Sequence, residues 1–319
     1  MDTWHSLSTQ LMALKASLGD AVDWKQIFLM AMTPLFLLAF LSEWWVMRQR
    51  QQLQQFHLKD IMANFALGGS YQLFELLVYG LFVGPAIFWF WDHRFFTLPI
   101  NLWTILPIFI AVEFCYYWFH RTSHRVRWFW SAHVVHHSSE HMNMSTAMRQ
   151  SMLYPLTGWW LFFMPLVLLG VHPVAVFLLY AVNLAYQFFI HTEAVGKLHP
   201  ILEYWLDTPS NHRAHHGRNA EYIDKNYGGV LIVFDRWFGT YVEEDAPVDY
   251  GIVGQVYSHN PIVLNLHEFI AMWRDVFRRG SLRQRLKHFW APPEYERPAE
   301  SAQADPRDDV PLESGTQKP

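Results

Sequence analysis

Nine histidines in this chain stand at spacings that suit metal ligation. HRTSH supplies His120 and His124, AHVVHH supplies His133, His136 and His137, and NHRAHH supplies His212, His215 and His216; His191 opens HTE. On an α-helix, residues four apart share a face, about 5–6 Å from one another. An H-x3-H pair can therefore grip one ion from two sides. In H-x2-H-H the first and last imidazoles share a face while the middle one turns about 100° away. One such motif can thus serve two neighbouring ions. Neutral imidazole suits zinc, copper, iron and nickel, and a single zinc takes about three or four ligands. Nine histidines over-supply one ion and fit two, with four or five nitrogens each. Soluble di-iron bundles use Glu and Glu-x-x-His for this purpose. Here histidine replaces carboxylate, which favours iron over magnesium or manganese.

These motifs need elements to hold them. Apolar runs at 27–46, 65–91 and 98–119 are each long enough to span a bilayer, which takes about 20 residues. A pair at 152–170 and 173–190, split only by Val171 and His172, reads as a helical hairpin that enters the membrane and returns. The expectation is an all-α integral membrane protein with four to five spans and a cytosolic, His-rich helical cap. Residues 1–26 form an N-terminal segment without a signal-peptide pattern, 27–119 the membrane helices, and 120–260 the catalytic core with the hairpin at 152–190. Basic amphipathic helices follow at 261–290, suited to a membrane surface or to packing on the core, and then a disordered tail at 291–319.

Charge orients the threading. With the first span exiting to the cytoplasm, the inner loops hold Arg48, Arg50, Lys59, Arg121, Arg125, Arg127 and Arg149, and the outer segments only Lys15, Lys25 and Arg94. The positive-inside rule favours that direction, and it puts every histidine motif on the cytoplasmic side. Composition agrees with a membrane protein: 52% hydrophobic and 16% charged residues, against about 25% charged in soluble domains. A net charge of −4 gives no reason to expect nucleic acid, and the single cysteine, Cys115, excludes a disulfide and a thiolate-rich metal site. His5, His57, His93, His172, His259, His267 and His288 stand alone and read as solvated or interfacial; His141 and His199 lie near a motif but outside its spacing.

A ligating histidine commonly donates its second ring nitrogen to a carboxylate or carbonyl. Candidates for that supporting role are Glu193, Asp207, Asn211, Asn219, Asp224 and Asp235, and also Glu113, a carboxylate inside an expected span. Two other chemistries use similar residues. A membrane zinc hydrolase would carry its general base in an H-E-x-x-H frame, which is absent. A non-enzymatic metal or haem carrier would place ligands in mid-span or need only two axial histidines.

The stretches EFCYYWFHRTSH, HHSSEHMNMSTAMRQS and FFIHTEAVGKLHPILEYWLDTPSNHRAHHGRNAEYIDKNYGGVLIVFDRWFGTY resemble the fatty acid hydroxylase superfamily, also called the sterol desaturase family. The likeness runs from about Glu113 to Glu243 and is strongest to the alkylglycerol monooxygenase branch and its bacterial members. It implies a membrane-bound non-haem di-iron oxygenase that uses O2 and two electrons to hydroxylate or desaturate a lipid C–H bond. The nine histidines named above would be its ligands. An acyl lipid, an ether lipid, a sterol-like molecule and a carotenoid all remain open as substrate. The electrons must come from an external protein or small molecule. That branch implies a tetrahydropterin donor, but it usually has Glu directly after the second histidine of H-x3-H. Arg125 stands there in this chain, and the reversed charge weighs against the pterin. Asn211 likewise replaces a usual histidine, outside the ligand set. The resemblance leans toward a bacterial inner membrane, with the endoplasmic reticulum as the alternative.

Overall fold

A computed structural model describes residues 22–297. Most of the expected N-terminal segment, 1–21, and of the expected tail, 298–319, lie outside the described residues. Helix α1 (Trp24–Gln49) opens at Asp23, whose carboxylate accepts from the Gln26 amide at 3.2 Å. Helix α2 (Leu58–Val78) continues through a π turn (Tyr79–Val83) into α3 (Gly84–Asp92). Pro85 lacks an N–H and crowds the preceding turn, so the hydrogen-bond ladder widens there. Helix α4 (Ile105–Arg125) meets α5 (Arg127–His137) at Val126, whose backbone is extended. That corner turns HRTSH and AHVVHH toward each other.

Among the described residues, three helical stretches are long and apolar enough to cross a bilayer: α1, the continuous run from α2 through α3, and α8 (Pro173–Ile190). The chain is an all-helical membrane protein. Leu37, Leu38 and Leu41 of α1 are exposed, as a helix facing hydrocarbon requires. The expected span at 98–119 starts later, as α4 at Ile105, because Asn101 forms a turn that accepts from the amides of Trp103 and Thr104.

The expected hairpin differs more. Its second arm is α8, but 152–170 is no single helix. It breaks into α6 (Tyr154–Thr157), a 3-10 turn (Trp159–Phe163) and α7 (Met164–Leu168). Pro155 and Pro165 each remove a ladder donor, and Gly158 takes a left-handed φ of 87°. Gly170, at φ 100°, closes the segment, and a Cβ there would lie 2.3 Å from the Phe96 carbonyl oxygen. The fragments are still buried: Trp159, Phe163 and Val167 pack with Val112, Tyr116 and Tyr180 in the main core.

The rest of the chain forms short helices whose starts are written in the same way. His172, His199, Thr208 and Asn260 cap α8, α9 (Pro200–Trp205), α10 (Pro209–His215) and α12 (Pro261–Phe277), each with proline in the first turn. Proline is favoured there because the first N–H has no intrahelical partner. Helix α11 (Val233–Phe238) follows α10, and α13 (Leu282–Trp290) follows α12. The C-terminal pair packs on the core: Arg127 of α5 bonds Glu268 and Asp275 of α12, each at 2.7 Å. His288, expected to be solvated or interfacial, is buried between Arg127 and Arg297.

Candidate metal centre

All nine histidines of the motifs are buried and gather into two adjoining groups. His120, His124, His133, His137 and His215 form one, and His136, His191, His212 and His216 the other. Within each group, one nitrogen per ring lies within 4.8 Å of every other. The partition follows helical geometry. In each H-x2-H-H motif the first and last rings join one group, and the middle ring crosses to its neighbour. His137 and His216 stack at 4.4 Å between centroids, so the two groups share a wall.

The outer ring nitrogens reveal what the inner ones must be. Nδ1 of His191 lies 2.6 Å from the Gln187 carbonyl, and Nδ1 of His136 lies 3.3 Å from that of Arg149. Nδ1 of His120 and of His215 lie 2.8 Å from the carbonyls of Tyr227 and Lys225. A carbonyl only accepts, so these four Nδ1 atoms carry the proton and each Nε2 keeps a bare lone pair. His212 turns its Nδ1 to Asp207 at 3.0 Å, both groups fully buried. Yet Nε2 of His191 sits 3.2 Å from that of His136 and 3.0 Å from that of His212. In the other group His133 Nε2 lies 3.0–3.1 Å from the Nε2 atoms of His120, His124 and His137. Where both facing nitrogens are bare, as in His191 and His136, the lone pairs repel unless a cation lies between them. Nitrogens bound at right angles, about 2.0–2.1 Å from one ion, fall about 3 Å apart, as found here. Nε2 of His215 and of His216 are buried with no hydrogen-bond partner among the described residues. The donor set therefore fits two cations.

Burial keeps the rings neutral and ready to ligate. It pushes His191 and His215 down to about 4, and it holds His133, His136, His137, His212 and His216 well below the usual imidazole range, helped by their neighbours. Asp207 is driven well above the ordinary carboxylate range, first by burial and then by Asp235, Glu203 and Glu113.

The expected supporting residues divide. Asp207 reaches a ligand directly, and Asp224 lies 3.7 Å from His124 Nδ1 while pairing with Arg125. Asp235 accepts from the amides of Tyr227 and Gly228 at 2.8 Å, holding the loop that offers its carbonyl to His120. Glu113 holds the same loop further along, through Val230 at 2.8 Å and Leu231 at 3.2 Å, and bonds Asn183. Asn211 ties α10 to the carbonyls of Glu203 and Leu206. Glu193 and Asn219 turn elsewhere, to Tyr250 and to the 247–249 loop.

Other contributors had not been foreseen. Tyr154 places its hydroxyl 2.6 Å from His133 Nδ1. Glu43 of α1 binds the Met144 amide at 2.8 Å and the Thr192 hydroxyl, clamping the segment after AHVVHH to the one after His191. Arg149, 1% exposed, bonds Asp60, Asn64 and the Val135 carbonyl while its own carbonyl serves His136. Asn226, at φ 57°, makes three hydrogen bonds and shapes the turn that presents Lys225 and Tyr227. Glu43 had a signal: it is the lone charge in the run 27–46, as Glu113 is in 98–119.

A cavity of about 240 Å³ ends on the histidines. His120 and His133 from one group and His136 and His191 from the other line it, and Phe119, Leu184 and Phe188 line its apolar walls. Met30 and Thr33 of α1 also line it and are themselves exposed, so it opens sideways among the membrane helices.

Comparison with known proteins agrees with this geometry. Residues 105–240 match the family model described as fatty acid hydroxylase. The chain is 39% identical to an alkylglycerol monooxygenase of Homo sapiens, over 76% of this chain and 54% of that protein. The corresponding protein of Danio rerio is 37% identical, over 82% and 58%. An ornithine lipid hydroxylase of Rhizobium tropici is 31% identical, over 52% and 50%. The chain spans about half the length of these curated relatives. No solved structure matches. The segment 105–240, which holds all nine histidines, belongs to the fatty acid hydroxylase family.

Proposed function

From that membership and the paired histidine groups, we propose that this protein is a membrane-bound, non-haem di-iron oxygenase that hydroxylates a lipid C–H bond with O2 and two electrons. One observation carries the reading: two sets of bare imidazole nitrogens converge at the closed end of an apolar cavity that opens among membrane helices. His120, His124, His133, His137 and His215 hold one iron, and His136, His191, His212 and His216 the other. Bound there, the irons supply oxygen activation strong enough to break an unreactive C–H bond.

The chain's own residues do the rest. Carbonyls of Gln187, Arg149, Tyr227 and Lys225 fix the tautomers of His191, His136, His120 and His215, so that these four need lose no proton before they bind. Phe119, Leu184 and Phe188 exclude water and align a chain against both groups. Tyr154 faces the cavity with a hydroxyl held at His133, and so offers a proton donor beside the reacting end. An ether lipid is the first substrate to test, because the relatives named alkylglycerol monooxygenase share 37–39% identity. Arg125 pairs with Asp224 next to His124, and its charge weighs against a pterin, so a protein or another small reductant is the first electron donor to test. The centre faces the cytoplasm.

The test is metal analysis of anaerobically purified protein, followed by O2 uptake with candidate lipids. In parallel, lipids are compared in cells with and without the chain. Two irons per chain and a lipid change abolished by His136→Ala support the reading. A lipid change that survives His136→Ala overturns it.

A further inference from the structure

At the end of the cavity away from the histidines, a second polar cluster is buried. Lys25 Nζ donates to Glu75 at 2.6 Å and lies 4.7 Å over the Trp159 ring. Lys25 and Glu75 are each 1% exposed, and Asp23 and Gln26 each 6%. Their pairing is incomplete. Asp23 Oδ2 and both side-chain amide atoms of Gln26 have no hydrogen-bond partner among the described residues, and Glu75 has only Lys25 and the nearby Tyr71 hydroxyl. Buried polar groups are almost always satisfied, so atoms left open in one cluster point to a missing partner.

The cluster adjoins the cavity, whose lining reaches its helical neighbours but not Asp23, Lys25, Gln26 or Glu75 themselves. Gln26 stands one turn before Leu29 and Met30, and Glu75 one turn after Tyr71 and Gln72, and all four of these neighbours line the cavity. Residues three or four apart share a helix face, so the open groups lie on the cavity side of α1 and α2. Trp159, beneath the Lys25 ammonium, lines it too, as does Tyr180. From Tyr180 to His191, α8 advances about 16 Å. That separation is filled by a carbon chain rather than by a compact headgroup.

We propose that Glu75, Asp23 and Gln26 form a second subsite that binds a hydrogen-bond-donating group, a hydroxyl or an ammonium, at the end of the lipid remote from the oxidised carbon. Two carboxylates face one ammonium there, so acceptors are in surplus and a carboxylate headgroup is repelled. The cluster then acts as a ruler: gripping one end of the lipid decides which carbon lies against the histidines. This inference rests on reading the cavity as the lipid site.

The experiment uses purified, iron-loaded protein in detergent and a fluorescent lipid as reporter. A long-chain 1-alkanol, its 1-amine, its carboxylate and the parent alkane, all of one chain length, compete for the cavity. The alkanol and amine should bind about tenfold tighter than the alkane, which is the difference expected of one hydrogen bond to a charged group. The carboxylate should gain nothing. Gln26→Leu, which leaves the Lys25–Glu75 pair intact, and Glu75→Gln should each erase most of that preference without changing iron content. Equal binding of alkanol and alkane by the unaltered protein overturns the proposal, as does a preference that both variants retain. The two readings fail separately. A lipid bound with this preference but never oxidised refutes the hydroxylase and leaves the subsite standing. Oxidation without the preference does the reverse.

Discussion

At the scale of single residues, the gathering of the nine histidines was legible in the sequence, as were Asp207, Asp235 and Glu113 around them, while Tyr154, Arg149 and the backbone carbonyls were not. Periodicity alone sorts His133 with His137 and sends His136 elsewhere, and the structure divides them that way. This division makes the metal content of variants unequal. Removing one ring from the five-nitrogen group leaves four, while removing one from the four-nitrogen group leaves three. His215→Ala should therefore keep about two irons per chain and His212→Ala fall toward about one, read by elemental analysis. Asp207→Ala removes the side-chain partner behind His212 Nδ1, and should weaken metal retention by roughly 10–100-fold in a chelator competition. The neutral rings also set a pH dependence in the metal-free protein. His191 and His215 sit near about 4 when folded, against about 6.5 unfolded. Between those values the unfolded chain binds protons that the folded chain refuses, so stability falls as pH drops from 6.5 toward 4. Each ring contributes up to roughly 1.4 kcal/mol per pH unit. A thermal midpoint that rises as the metal-free protein is acidified across that window would contradict the burial argument.

At the scale of elements, helices were predictable where an apolar run went unbroken, as in α1 and α8, and not where prolines and a left-handed glycine cut the run at 152–170. The loops were less legible still, because a backbone carbonyl has no signature in the sequence. The 224–228 turn shows what was hidden: it delivers two carbonyls to two histidines of the same group, and Asn226 holds it. Asn226→Ala removes three hydrogen bonds and puts a Cβ at φ 57°. Asn226→Gly removes the same bonds and relieves the backbone. Both variants should be destabilised, and alanine should be worse than glycine by about 1–2 kcal/mol, the cost of the left-handed conformation. Denaturant melts compare the two directly, and equal stability would mean that the turn relaxes freely. Iron should be lost first from the group containing His120 and His215, whose orienting carbonyls the turn supplies.

At the scale of the whole molecule, each of the first three expected spans carries one acid, and all three acids are buried: Glu43 and Glu113 brace the segments that flank the histidines, and Glu75 lies at the remote end of the cavity. The membrane helices therefore do more than anchor the centre. They carry a passage from their own lipid-facing side to the histidine groups. If that passage is the route of the substrate, filling it must stop the chemistry without touching the metals. Leu184 lines the cavity one helical turn from Gln187 and Phe188 and is not itself beside a ligand. Leu184→Trp adds bulk to a space of about 240 Å³. Overpacking of this kind costs about 1–3 kcal/mol, which a membrane helix bundle can absorb. The variant should purify with the same iron content as the unaltered protein and lose lipid oxidation by more than tenfold, while Leu184→Ala retains it. If Leu184→Trp oxidises lipid at the normal rate, substrate reaches the histidines by another path, from the water-facing side of the centre.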